Sequence, residues 1–117
     1  MKILVIDDSR AVQAFVQTCL QGPTYELISA QHGKEALGLA TSMKPDLVLL
    51  DWEMPVMDGP TFLTEFRKLE PKTPVVMMTT KNDPSEIAEV LQLGANEYIM
   101  KPFTAEILKE KISFVIG

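Results

Sequence analysis

The sequence predicts an α/β fold, a doubly wound five-stranded parallel sheet with helices on both faces. Three observations carry this. Short continuous apolar runs recur at Ile3–Ile6, Leu47–Leu50 and Val75–Met78, and apolar runs without alternation mark strands buried on both faces. Each run is followed by a segment whose apolar residues fall at helical spacing, the pattern of strand–helix–strand crossovers. All eight prolines lie in loops or at element edges, where a missing N–H costs nothing.

Strand one is Ile3–Ile6, ending in Asp7-Asp8. Ser9 is the expected N-cap of the first helix. Val12, Phe15, Val16, Cys19 and Leu20 form its expected apolar stripe, and Gly22-Pro23 stops it. Cys19 on that stripe reads as a buried structural thiol. Strand two is Tyr25–Ala30. His32-Gly33 turns into a helix carrying Ala36, Leu37, Ala40 and Met43, closed by Lys44-Pro45. His32, without partners in the sequence, reads as a surface loop residue. Strand three is Leu47–Leu50, with Asp51 where the apolar run stops. The next helix places Phe62, Leu63, Phe66 and Leu69 on one face and ends before Pro71. Strand four is Val75–Met78, with Thr79-Thr80 at its end. Asp83 is the expected cap and Pro84 the first residue of a helix with Ile87, Val90, Leu91 and Leu93, stopped by Gly94. Tyr98–Met100 is strand five, followed by Lys101-Pro102. Thr104 caps a last helix with Ile107, Leu108, Ile112 and Val115.

Composition narrows the function classes. The 117 residues fit one domain spanning 1–117. A net charge of -5 and the lack of a basic run argue against direct nucleic-acid binding. A single cysteine excludes an internal disulfide. The opening apolar segment is too short for a signal peptide or membrane insertion, so a cytoplasmic location is expected.

In a parallel sheet the carboxyl ends of all strands share one edge, the edge where open α/β sheets place their chemistry. Strand one delivers Asp7 and Asp8, strand three Asp51, strand four Thr79 and strand five Lys101. Three carboxylates in one crevice repel, by roughly 4 kcal/mol per pair at about 4 Å and an effective dielectric of 20. They therefore take up a proton or hold a hard cation, and an all-oxygen donor set suits Mg²⁺. With no histidine or cysteine beside them, zinc does not fit. A carboxylate nucleophile, a cation, a lysine and a hydroxyl together describe phosphoryl transfer to an aspartate. Each residue alone has a plainer role, Asp8 as a helix cap, Thr79 as a strand residue, Lys101 as a surface charge. Their arrival at four strand ends favours the joint reading.

The set Asp7-Asp8, Asp51 with Met54-Pro55 and Asp58-Gly59, Thr79, and Lys101-Pro102-Phe103 resembles the receiver domain of two-component response regulators over the whole chain. The closest sub-type in appearance is the chemotaxis-type single-domain regulator. The resemblance implies a flavodoxin-like sheet of order 2-1-3-4-5; this family is itself an example of that order, so the order is no independent evidence. It implies that Asp51 accepts a phosphoryl group from a sensor histidine kinase or phosphotransfer protein. Asp8 would bind Mg²⁺ directly and Asp7 mostly through water, with Asp51 and the Glu53 backbone carbonyl completing the set. Thr79 and Lys101 would hold phosphoryl oxygens, and Tyr98 would be the aromatic switch. The Lys101-Pro102 peptide would be cis. The face built by helix 4, strand 5 and helix 5 would then control a downstream protein target, catalysis being confined to the domain's own phosphorylation and dephosphorylation.

Two departures stand out. Thr80 occupies a position where Ala or Gly is usual, and Glu53 and Lys81 flank the site at variable positions. Thr80 is expected to gate the hydrolytic water, and Glu53 and Lys81 to meet across the same mouth. Because the chain ends directly after helix five, a stand-alone receiver is expected; the alternative is a receiver from a longer, DNA-binding regulator. A haloacid-dehalogenase-type phosphatase would want an Asp where Glu53 stands, and a cap domain. A flavodoxin would want a Ser/Thr/Gly-rich phosphate loop after strand one. A phosphate-independent pseudo-receiver would lack core site residues that are all present.

Overall fold

The structure, a computed structural model, describes residues Met1–Gly117. Five strands and five helices alternate: β1 (Lys2–Ile6), α1 (Arg10–Cys19), β2 (Glu26–Ala30), α2 (Gly33–Met43), β3 (Leu47–Asp51), α3 (Gly59–Leu69), β4 (Val75–Thr79), α4 (Pro84–Leu93), β5 (Glu97–Met100) and α5 (Ala105–Ile116). All strand pairs are parallel and the sheet order is β2-β1-β3-β4-β5. The expected fold and order are both found.

Alternation along the strands sends side chains to two cores. Leu4, Ile6, Val48, Leu50, Val75 and Met77 pack with Phe62, Leu63 and Phe66 of α3 and with residues of α2 and α4. Ile3, Val5, Leu47, Leu49, Val76 and Met78 pack with Val16 and Leu20 on one side and Leu108 and Ile112 of α5. Helices α1 and α5 thus cover one face and α2, α3 and α4 the other. β3 and β4 are buried along their entire length, which is why their sequences are continuously apolar up to the last residue, Asp51 or Thr79. The edge strand β2 is only partly buried and reads Glu-Leu-Ile-Ser-Ala.

Every helix starts on a side-chain cap. Ser9, Asp58, Asp83 and Thr104 accept backbone N–H groups of the first turn. The fifth cap is His32, whose Nδ1 accepts the Glu35 N–H at 3.3 Å while the Glu35 carboxylate accepts the Gln31 N–H at 3.0 Å. His32 is an exposed loop residue as expected, with a capping role the sequence did not reveal.

The apolar stripes of four helices differ from expectation, those of α4 and α5 by the exposure of Leu91 and Ile107. The face α1 buries is Gln13, Val16 and Cys19; Val12 is half-buried and Phe15 is 43% exposed. The stripe is rotated toward Gln13 because the Gln13 amide finds backbone partners beneath the helix. Phe15 instead meets Phe103 at 5.7 Å between ring centroids. On α3, Leu69 is exposed, since the helix ends there and the core stops at Phe66.

Candidate functional site

The carboxyl edge of the sheet opens into a crevice of about 210 Å³ lined by Asp7, Asp8, Ser9, Asp51, Trp52, Glu53, Thr79, Thr80 and Lys101. Its floor is set by strand register. β1 lies between β2 and β3, and β3 between β1 and β4, so Asp7 and Asp51 leave neighbouring strands side by side. Carboxylate oxygens of Asp7, Asp8 and Asp51 lie within 4.8 Å of one another. Asp7 and Asp51 are buried, while Asp8 is exposed at the rim.

Lys101 ties this cluster together. Its ammonium donates to Asp51 Oδ1 at 2.8 Å and to Asp7 Oδ2 at 2.9 Å. The lysine is held there by the end of β5, where the Lys101 N–H donates to the Thr79 carbonyl at 2.8 Å. The following Lys101-Pro102 peptide is cis, as the resemblance implied. Asp7 Oδ1 accepts the Ser9 N–H at 2.8 Å, so both Asp7 oxygens have donors. Asp8 accepts no hydrogen bond within the chain, and Asp51 Oδ2 has none either.

Electrostatics follow from burial. Desolvation pushes the Asp51 carboxyl up from its ordinary 3.8 to about 6. The Lys101 hydrogen bond opposes that rise, and the Asp7 charge adds to it. For Lys101, burial works to lower the pKa, but the hydrogen bonds to Asp51 and Asp7 and their negative charge outweigh it, and the net shift is upward.

Thr79 is buried at the end of β4 and its Oγ1 accepts the Lys81 N–H at 2.8 Å. Its hydroxyl hydrogen remains available to the crevice. Thr80 lines the mouth, and its hydroxyl donates to Glu53 Oε1 at 3.4 Å. The expected meeting of Glu53 with Lys81 does not occur. The Lys81 ammonium pairs with Glu86 at 3.4 Å and lies 5.6 Å from the centre of the Trp52 ring. The start of α4 at Pro84 brings Glu86 within reach, and that carboxylate takes the lysine.

Tyr98 lies outside the crevice. Thr79 pairs with Met100 and Met77 with Tyr98, which puts Tyr98 on the same sheet face as Thr79, one strand over. Its ring is half-buried beside Ile87, Ala88 and Leu91 of α4, with the Lys111 ammonium 5.3 Å from the ring centre. Sequence reasoning missed Gln13 and the Ser9 N–H. Gln13 stands three residues before Val16 and seven before Leu20, a polar residue at a core position, which was the available signal.

A family model for the response regulator receiver domain matches residues 3–113. The chain belongs to the response regulator receiver domain family. A chemotaxis protein CheY homolog of Campylobacter jejuni is 37% identical over all of this chain and 93% of its own length. A probable transcriptional regulator, ycf27, of Porphyridium aerugineum is 41% identical over 98% of this chain, which spans only 48% of that relative. The solved chemotaxis protein CheY4 of Vibrio cholerae superposes with a TM-score of 0.92 at 34% identity, covering 97% of each chain. Receiver domains are signalling proteins rather than conventional enzymes. No helix of this receiver is long and apolar enough to cross a membrane.

Proposed function

We propose that this receiver is a phosphorylation-activated switch with Asp51 as acceptor. The observation that carries the reading is the Lys101 ammonium held between Asp51 and Asp7, at 2.8 and 2.9 Å. One Asp51 oxygen is fixed by that contact and the other is free to attack. Attack forms an oxygen–phosphorus bond and breaks the phosphorus–nitrogen bond of a phosphohistidine on the kinase or phosphotransfer partner; the leaving imidazole keeps the electron pair. Lys101 is placed to follow the new negative charge, and the Thr79 hydroxyl to donate to a phosphoryl oxygen. Both act as preorganised donors.

The donor set fits magnesium. Three ionised carboxylates and one ammonium leave a local charge of -2, all ligands are oxygens, and the site opens to solvent. Asp8, with free lone pairs, would ligate directly. Asp7, with both oxygens engaged, would act through water, alongside Asp51 and the Glu53 carbonyl. When bound, the ion would offset charge on the phosphoryl group. The cytoplasm is the proposed compartment.

Capture of the phosphoryl group by Thr79 would move the end of β4 and change the room available to Tyr98 on the same face. The α4–β5–α5 surface would then favour a different population and a protein target that binds it. NMR of the Tyr98 ring tests this. With a small phosphodonor and Mg²⁺ the ring signals should shift in wild type and stay fixed in Asp51→Asn. An unchanged wild-type ring refutes the switch. The ycf27 relative, about twice as long, favours a second reading in which the same chemistry serves a longer transcriptional regulator.

A further inference from the structure

The Gln13 side chain is buried beneath the site at 8% exposure. Its Nε2 donates toward three backbone carbonyls, those of Val5 at 3.1 Å, Asp7 at 3.1 Å and Ala30 at 3.0 Å. Its Oε1 has no partner. Turning the amide over would set an oxygen against three oxygens, so the orphaned acceptor is the consequence of a donor required below.

Of the three carbonyls, that of Asp7 bears on the site. No backbone N–H donates to it, so Gln13 is its partner. The peptide it belongs to links Asp7 to Asp8 and is planar. Asp7 is already tied by its N–H to Ala30 at 3.0 Å and by its carboxylate to Ser9 and Lys101. Asp8 has no hydrogen bond of its own. The direction in which its carboxylate leaves the chain is therefore set through the peptide plane that Gln13 holds.

We propose that Gln13 is a positioning residue for the cation site, acting through the Asp7–Asp8 peptide to aim the Asp8 carboxylate into the crevice. This rests on the magnesium reading above. Partners one step removed from a metal commonly change its affinity by about tenfold or more.

The test is a Mg²⁺ titration followed by Trp52 fluorescence, together with urea unfolding, on wild type, Gln13→Met and Arg67→Met. Gln13→Met keeps the shape and removes the donor. Arg67 bonds Gly94, Glu70 and Asn96 away from the crevice, so Arg67→Met is a control for lost stability. Both variants should unfold at lower urea. The Mg²⁺ dissociation constant should rise about tenfold in Gln13→Met and stay at the wild-type value in Arg67→Met. Gln13→Asn, too short to reach all three carbonyls, supplies a second variant if Gln13→Met does not fold, and should weaken Mg²⁺ in the same way. Wild-type Mg²⁺ affinity in the folded Gln13 variants makes the residue structural only and overturns the proposal. A wild-type protein that binds no Mg²⁺ overturns this proposal and the magnesium reading together.

Discussion

Asp51 carries a charge that its surroundings oppose. Burial pushes its carboxyl up to about 6 from an ordinary 3.8. Between those values the folded state binds more protons than the unfolded one, so this group makes stability fall as pH rises through that window. Above about 6 the full cost is present. Asp51→Asn should therefore be more stable than wild type at neutral pH without metal, by on the order of 2 kcal/mol. The difference should shrink as pH is lowered toward 4, where the folded wild type is protonated. Urea unfolding across that range checks both signs; a gap that is constant with pH assigns the effect to packing. We propose that Thr80 bears on the later life of the site. Its branched side chain stands at the crevice mouth, oriented by its 3.4 Å contact with Glu53. If it excludes the hydrolytic water, Thr80→Ala should shorten the lifetime of the acyl phosphate several-fold, and tenfold corresponds to about 1.36 kcal/mol of barrier. Decay at the wild-type rate would contradict a gate, and slower decay would contradict it and fit a hydroxyl that guides water in.

At the scale of elements, the β3–α3 connection fixes where Asp51 sits. The Gly59 N–H donates to the Trp52 carbonyl at 2.8 Å, and a Cβ on Gly59 would lie 2.5 Å from the Asp51 carbonyl oxygen and 2.9 Å from the Trp52 Cα. Gly59 is needed for this close approach of helix to strand end. Gly59→Ala should cost roughly 1–3 kcal/mol by overpacking and slow phosphorylation as well, because the displaced atoms belong to Asp51. Thermal unfolding beside a phosphorylation time course reads both; lost stability with an unchanged rate would show that the loop yields without moving Asp51. Most elements were legible because their signals are local: a continuous apolar run, a cap residue, a proline or glycine stop. The misreadings came where the deciding contact is distant in sequence. Gln13 is buried because carbonyls from β1 and β2 lie under it, and Phe15 turns outward to Phe103, 88 residues further on. Lys81 is an exception: it turns to Glu86, only five residues on, because the position of α4 settles which carboxylate is within reach.

At the scale of the whole molecule, parallel topology gathers four strand ends onto one edge, and only the folded chain brings Asp7, Asp51 and Lys101 into contact across 94 residues of sequence. The radius of gyration, 12.8 Å, matches the roughly 13 Å of a compact domain this long. Membership of the site was readable from residue type at each strand end. Which Asp7 oxygen meets Lys101, and that Asp8 alone among the three acids is left free, is decided only by the folded arrangement. The central claim is that this edge is a phosphoryl acceptor with Asp51 as nucleophile. Mass spectrometry after incubation with acetyl phosphate and Mg²⁺ tests it most directly. Wild type should gain one acid-stable, base-labile phosphoryl group on Asp51 and Asp51→Asn should gain none; equal modification of the two proteins, or none of wild type, would contradict it.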